Sequence, residues 1–412
     1  MHKPGERERC MICGAELGQE PVLRLSDMPA SAQDIPSADE LSEDKGLGLS
    51  LYICPDCGLC QFDCEPVSYY PEVIRAVGLS ETMRELRRRD YRHMTETYGL
   101  TGGRFLECGC GRGEFLEVLS EFPVEIYGTE ADPANAAIAA ERLGDGIVNM
   151  FPEGSDAVIP GAPFDCFLSF NFLEHQPDPS AMLSCMYANL RPGGLGLITV
   201  PSFEYILEQG YYYEFIRDHI ANYDLDSLSG LCRMCGFEVL ESGRIGIGDT
   251  LRVVVRKAAC GSRETLESLR DPHGDPEAIK AGFEKIKTNK ENIGYNLKIY
   301  TENLKKSGKR LALWGAGHQG FTIASTTVLR DEAEYILDSA AFKQGLYAPA
   351  SHLPIVAPGY FLTDPVDVIM ITAPGYVKEI KRSIEELCAS SGAPLPEITD
   401  ILSILHHGQE GL

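Results

Sequence analysis

Residues 104–113 read RFLECGCGRG, and the next stretch, 114–122, reads EFLEVLSEF. An apolar strand runs into a turn of small residues and out into an amphipathic helix. Glycines at 109, 111 and 113 let the backbone turn sharply and approach a ligand closely, which larger residues would prevent. The next apolar run, VEIYGTE, ends on Glu130, 23 residues beyond Glu107. An acid at that point can accept hydrogen bonds from both hydroxyls of a ribose. Strand, glycine turn, helix, strand is the signature of a parallel sheet with helices on both faces.

Three further segments continue the pattern: DCFLSFN, opened by Phe164-Asp165 and closed by Asn171, then FLEHQPDP, then LRPGGLGLITVP, read as a helix-to-strand turn. A late pair of strands, FEVLESGRI and TLRVVVRK, completes the set. The form E/D-x-G-x-G-x-G, with the acid of the second strand and these later segments in order, resembles class I methyltransferases dependent on S-adenosylmethionine. That resemblance implies Glu107, Gly109, Gly111, Gly113, Glu130 and Asn171 as cofactor-binding residues. A dinucleotide-binding turn would space its glycines G-x-G-x-x-G, and residues 109–113 do not.

Outward from this core, the chain divides by composition. Residues 1–70 hold Cys10-x-x-Cys13 and Cys54-x-x-Cys57 among Pro, Gly and Asp, and read as a small zinc-binding module. Two CxxC pairs supply four thiolates to one tetrahedral Zn²⁺, a closed set with no place for water and hence structural. Cys60 and Cys64 lie nearby and could replace a ligand; Cys232-x-x-Cys235 falls in a helical stretch and reads as core packing. Residues 71–98 read as connecting helices, 99–258 as the cofactor-binding domain, 259–306 as a helical linker, and 307–412 as a second α/β Rossmann-like domain with strands KRLALWGAG, AEYILDS and DVIMITAP. The fold class is therefore α/β: a class I Rossmann-like domain flanked by a zinc module and a C-terminal α/β domain.

A chain of 412 residues with 44% hydrophobic and 24% charged residues is long enough for several cores. The net charge of −24 repels phosphate backbones and anionic lipid, so neither nucleic acid nor membrane is the expected partner. No run of about 18 apolar residues is present, and the N-terminus lacks an apolar signal region. The 14 cysteines therefore suit a cytoplasmic protein using them as metal ligands. A small-molecule partner and a monomer or homodimer are expected.

The order of parts resembles the sugar C-methyltransferases of antibiotic biosynthesis, which methylate a carbon of a TDP-linked keto-deoxysugar. The resemblance rests on the CxxC pairs with CPDCGLCQ, the turn around Gly109, LEHQPDP, GDTLRVVV, LWGAGHQGFT and LDSAAFKQGLYAPASHLPIVAP. It implies C-methylation of a small nucleotide-linked keto-sugar-like or other natural-product intermediate, with S-adenosylhomocysteine as the second product.

For a carbon nucleophile beside a ketone, a base must remove an α-proton. In YYYEFIRDHIANY, Asp218-His219 would let a carboxylate orient an imidazole base. By position, His219 matches a family histidine, Asp218 stands for its glutamate, Ile216 for a tyrosine, and His175 of the LEH motif for a second histidine. A further family tyrosine falls at Arg75, with Tyr69 and Tyr70 close by; Tyr212, Tyr213 or Glu214 could stand in for the missing phenols. The bland alternatives are a surface histidine at a helix start for His219 and a loop-capping residue for His175. Two functional alternatives follow. One moves the methyl to oxygen or nitrogen. The other is an NAD-dependent oxidoreductase or nucleotide sensor using Gly315-x-Gly317-x-x-Gly320 with Asp338.

Overall fold

The computed structural model describes residues 7–72, 80–258 and 276–406, and two compact units emerge from it. The first comprises residues 1–22, 51–205 and 218–278; the second comprises 23–50, 206–217 and 279–412. Arg75 lies outside the described residues. Along the chain the strands are β1 (Leu23–Met28), β2 (Leu47–Ile53), β3 (Cys60–Phe62), β4 (Arg104–Cys108), β5 (Glu125–Glu130), β6 (Ile147–Asn149), β7 (Phe164–Phe170) and β8 (Leu190–Pro201). They continue with β9 (Ala221–Asn222), β10 (Phe237–Ile245), β11 (Thr250–Lys257), β12 (Leu311–Trp314), β13 (Ile336–Leu337), β14 (Ile355–Val356), β15 (Val368–Ile371) and β16 (Glu397–Asp400).

The first unit is built on a seven-stranded sheet of order β10-β11-β8-β7-β4-β5-β6. Strands β6, β5, β4, β7 and β8 run parallel, while β11 pairs antiparallel with both β8 and β10. This is the class I methyltransferase arrangement, an α/β sheet with one reversed strand. Its central strands are buried on both faces, as their near-continuous apolar runs require. LRPGG is not a turn ahead of a strand. The strand begins at Leu190 and a register shift absorbs the extra residues, so that Leu190 faces Phe164 while Leu195 faces Cys166.

The helix Glu81–Arg92 is fastened to this sheet by a buried charge. The Arg87 guanidinium lies 3.8 Å from the Phe170 ring centroid and 4.8 Å from that of Phe115, and pairs with Asp90 at 2.7 Å. Cation–π contact and ion pairing together offset the cost of burying Arg87. The N-terminal strands join the same body: β3 pairs antiparallel with Leu51–Ile53 of β2 on one side and with β9 on the other. One apolar core runs without interruption from Cys10, Ile12, Tyr52 and Leu59 to Phe164, Phe172, Leu173, Ile220 and Tyr223.

The second unit has a five-stranded parallel sheet of order β14-β13-β12-β15-β16. The helix Pro276–Lys306 packs against residues 206–217 in this unit. A Cβ at Gly282 would stand 2.7 Å from Leu207 Cβ, and Asn289 Nδ2 donates to the Gly210 carbonyl at 3.1 Å. Residues 23–50 are tied in by Asp44, whose carboxylate accepts the Ala350 N–H at 2.6 Å and meets His352 Nε2 at 2.9 Å. Among the described residues no helix is long and apolar enough to cross a membrane.

The glycine-rich turn of this unit shows a close approach of helix to strand. A Cβ on Gly320, in the helix His318–Thr326, would lie 2.0 Å from the Gly315 carbonyl oxygen and 2.8 Å from Thr372 Oγ1. Alanine normally strengthens a helix, yet here it has no room. Gly320→Ala should therefore destabilise the second unit by about 1–3 kcal/mol, the usual cost of overpacking, read by chemical denaturation. A neutral or stabilised variant would show that this approach does not constrain the turn.

Candidate active site

The turn after β4 is held by the acid that ends β5. Gly111 N–H donates to Glu130 Oε2 at 2.8 Å, and Asp132 N–H donates to Glu130 Oε1 at 2.9 Å. Glu130 is fully buried, so both bonds form away from competing water. Gly111 makes its bond at φ 56°, and Gly113, at φ 82°, begins the helix Glu114–Leu119. A Cβ there would sit 2.6 Å from Leu143 Cδ1, so a side chain is excluded by both torsion and space. Gly109 also adopts a left-handed conformation, at φ 66°. Asp132 caps the helix Pro133–Leu143 through the Ala134 and Asn135 N–H groups.

The remaining residues expected to hold cofactor lie on the same parallel strands. Glu107, near the end of β4, is fully buried between Gly128 of β5 and Leu168 of β7. Asn171 follows β7 at φ 49°, a conformation Asn tolerates better than most residues. Its N–H donates to the Thr199 carbonyl at 2.8 Å, and its Oδ1 accepts from Thr199 Oγ1 at 3.0 Å. The structure thus gathers Glu107, the three glycines, Glu130 and Asn171 at the carboxyl-terminal ends of β4, β5 and β7. Crevices outside those ends are where open α/β sheets bind ligands.

Beyond Asn171 the short helix Leu173–His175 presents the LEH motif. His175 Nδ1 donates to the Asp218 carbonyl at 2.9 Å, because a carbonyl oxygen only accepts. Burial pushes the His175 imidazole below its ordinary value, partly opposed by the charge of Asp218. His219 meets it edge to face, with ring centroids 4.8 Å apart. His175 and the adjacent pair Asp218 and His219, 43 positions on, are therefore brought together. His219 is half-buried in the turn before β9 rather than at a helix start.

Asp218 has a partner that sequence spacing did not assign. Its carboxylate accepts the Tyr69 hydroxyl, placing a phenol in the cluster. Tyr69 is 149 positions away, so only the fold reveals the pair. Tyr212 and Glu214 are engaged within the second unit, Tyr212 with Thr326 at 3.0 Å and Glu214 with Gln319 and His318. Ile216 is buried there. A residue passed over in the sequence is Glu174, whose side chain is 2% exposed. Desolvation pushes its carboxyl up to about 8.

Cys10, Cys13, Cys54 and Cys57 converge, all four sulfurs within 4.8 Å of one another and two pairs at 3.4 Å. Four thiolates around one Zn²⁺ at about 2.3 Å would stand close to these separations. The donor set fits such an ion. Cys60 lies in β3 and Cys64 follows it, and neither belongs to the group. Cys232 and Cys235 pack in the core beside Leu228, Leu231 and Phe237.

In the second unit, Asp338 repeats the arrangement of Glu130. Its Oδ2 accepts the Ala316 N–H at 2.8 Å and its Oδ1 accepts the Ala340 N–H at 2.8 Å. The buried Lys343 ammonium donates to the Ala316 carbonyl at 2.6 Å, so the turn between Gly315 and Gly317 is held by side chains from both sides.

The chain is similar to known methyltransferases. Residues 83–242 match the family model of a methyltransferase domain, and residues 247–396 match that of a C-methyltransferase C-terminal domain. C-methyltransferase NovU of Streptomyces niveus is 22% identical over 407 residues, spanning 95% of this chain and 96% of that protein. A ubiquinone biosynthesis O-methyltransferase of Cereibacter sphaeroides is 34% identical over 97 residues, covering 23% of this chain and 39% of the relative. An S-adenosylmethionine-dependent methyltransferase of Clostridium acetobutylicum aligns with a TM-score of 0.35 at 11% identity, over 42% of this chain and 92% of that one.

The hydrogen bond from His175 Nδ1 to a backbone carbonyl fixes one tautomer. Nitrogen NMR at neutral pH should find His175 neutral, with the proton on Nδ1 and a bare Nε2. An Nε2–H tautomer would mean that Asp218 does not orient this ring.

Proposed function

We propose that this S-adenosylmethionine-dependent methyltransferase places the methyl group on a carbon of a small substrate bearing a ketone, a nucleotide-linked keto-sugar or similar natural-product intermediate. The observation that carries the proposal is the cluster of His175, His219, Asp218 and Tyr69, with one imidazole already oriented by a carbonyl. Two further findings support it: the match of residues 247–396 to a C-methyltransferase domain, and the full-length likeness to a C-methyltransferase.

The methyl donor supplies an electrophilic carbon on a sulfonium, so the chain's own work is to position and to move a proton. Gly109 and Gly111 would let the turn approach the donor closely, while Gly113 lets the following helix pack against Leu143. Glu130 would exchange the Gly111 and Asp132 N–H groups for ribose hydroxyls, and Glu107 and Asn171 would line the same crevice. His219 takes the α-proton of the ketone, and the Tyr69 hydroxyl, turning its one proton from the Asp218 carboxylate to the enolate oxygen, stabilises that oxygen. With the donor bound, the enolate carbon would be placed to take the methyl as the methyl–sulfur bond breaks, S-adenosylhomocysteine being the other product. Asp218 positions both partners, through its carbonyl to His175 and its carboxylate to Tyr69.

Four thiolates would hold one structural Zn²⁺ with no open position. Its site lies in the body that carries β3, and β3 carries β9. Cys57→Ser should lower zinc from about one equivalent per chain to a small fraction of it, measured by elemental analysis. It should also slow proton abstraction, because the support of His219 loosens. Full zinc retention would remove Cys57 from the ligand set.

The experiment that tests carbon methylation is solvent deuterium exchange at the α-carbon of a trial ketone. His219→Ala should slow exchange and methylation together by about 10²-fold or more, the usual contribution of a positioned base. Undiminished exchange in that variant would exclude His219 as the base. Methyl transfer by wild type without any exchange-competent carbon would favour an oxygen or nitrogen acceptor.

A further inference from the structure

Glu174 poses an unsolved electrostatic problem. Its carboxyl is buried, with no side-chain hydrogen-bond partner and at most its own backbone N–H to meet it. A bare carboxylate in such surroundings costs several kcal/mol or more. Facing it, 3.9 Å from Oε1, is Nε2 of His175. The Nδ1 proton of that ring is committed to the Asp218 carbonyl, so the neutral ring keeps its lone pair on Nε2, the nitrogen nearer the carboxylate. A proton held by the raised carboxyl, or a cation, would relieve the confrontation of these two acceptors. His219 adds a third, with ligand atoms of Glu174, His175 and His219 all within 4.8 Å of one another.

We propose that Glu174, His175 Nε2 and His219 form a site for a divalent transition-metal cation, separate from the four-cysteine site. The three ligand atoms lie close enough for one ion to take them together, and two imidazoles with one carboxylate suit Zn²⁺, Fe²⁺, Co²⁺ or Mn²⁺. The supporting bond is also of the expected kind. A metal-bound histidine ordinarily passes its other N–H to a carbonyl or carboxylate, which fixes the ring, and the Asp218 carbonyl does this for His175. Only a modest contraction is needed, since ligands about 2.1 Å from a metal stand roughly 3–4 Å apart.

The site has a consequence for the methyl-transfer reading on which it borders. An imidazole holding a cation cannot take a proton, so loading the site would stop proton abstraction by His219. The cation would act as a reversible blocker of the base.

The test uses the full chain with its cysteine site filled with zinc, titrated with Co²⁺ and followed by visible absorption. About one equivalent beyond the zinc should bind, with ligand-field bands and no sulfur charge-transfer band, because the donors are nitrogen and oxygen. Glu174→Gln keeps the shape of the side chain and should weaken Co²⁺ by more than about tenfold, the least that loss of even an outer partner costs a metal site. Zinc retained at the cysteines would show the variant folded. His175→Ala serves as a second variant and should do the same. Absence of new bands at a large excess of Co²⁺, bands carrying sulfur charge transfer, or unchanged affinity in both variants would each overturn the proposal. Because absorption reads binding alone, failure of the base assignment would appear separately, in the exchange assay.

Discussion

A two-residue strand holds the candidate chemistry in place. Strand β9 pairs with β3 through Asn222 with Cys60 and Ala221 with Gln61, and Phe62 N–H donates to the Ile220 carbonyl at 3.0 Å. Asp218 and His219 immediately precede this ladder. A strand so short has little stability of its own, and the segment would behave as an ordinary mobile connection without it. Its neighbour β3 is steadied by β2 and by the core that runs from the cysteines to Phe172 and Tyr223. The N-terminal segment therefore reaches the candidate cluster in two ways, through Tyr69, which meets the Asp218 carboxylate, and through the backbone ladder of β3 with β9. It fixes one backbone segment, and that segment carries the histidine.

A second constraint appears twice in the chain. In each unit an acid at the end of the second strand accepts one N–H from the glycine-rich turn and another from the residue two positions on. The geometry follows from the parallel sheet. The first turn and the end of the neighbouring strand emerge side by side, and buried N–H groups must find acceptors. The units differ in what surrounds the acid. Glu130 accepts from the Gly111 and Asp132 backbone N–H groups, which a ligand's hydroxyls can replace. At Asp338 the Lys343 ammonium also holds the turn, through the Ala316 carbonyl. The same scaffold is exchangeable in one place and braced in the other.

Much of this was legible in the sequence, and for a definite reason. Strands β4, β7, β12 and β15 are buried on both faces and advertise themselves as apolar runs, and the glycines between strand and helix are forced by torsion and space. Edge strands β6, β14 and β16 were not legible, because two to four residues leave no periodicity to read. Nor was the grouping of residues 23–50 and 206–217 with the second unit, which depends on contacts such as Asp44 with Ala350 and Asn289 with Gly210. The site divides the same way. The four cysteines carry a recognisable spacing, and His175 and His219 were singled out by family resemblance, while their meeting is seen only in the fold. Tyr69 met Asp218 only through folding, and the isolation of Glu174 is a property of its surroundings that no motif encodes.

Glu174 also shows why such surroundings are kept. Replacing a buried, unpartnered carboxylate with an apolar residue of similar size would ordinarily stabilise a protein. The next position, His175, limits that option, since its ring is pinned at Nδ1 and presents Nε2 to the carboxylate. Removing the acid would relieve its desolvation but leave the imidazole lone pair facing an apolar wall. The two groups are mutually dependent: each is costly alone, and together they create a strong attraction for positive charge. A protein of net charge −24 already favours cations near its surface, and this pair concentrates that preference at one buried point beside the proposed base. The polarity of the site is thus set by the fold before any ligand arrives, and control over which positive species neutralises it is control over whether His219 is available to act.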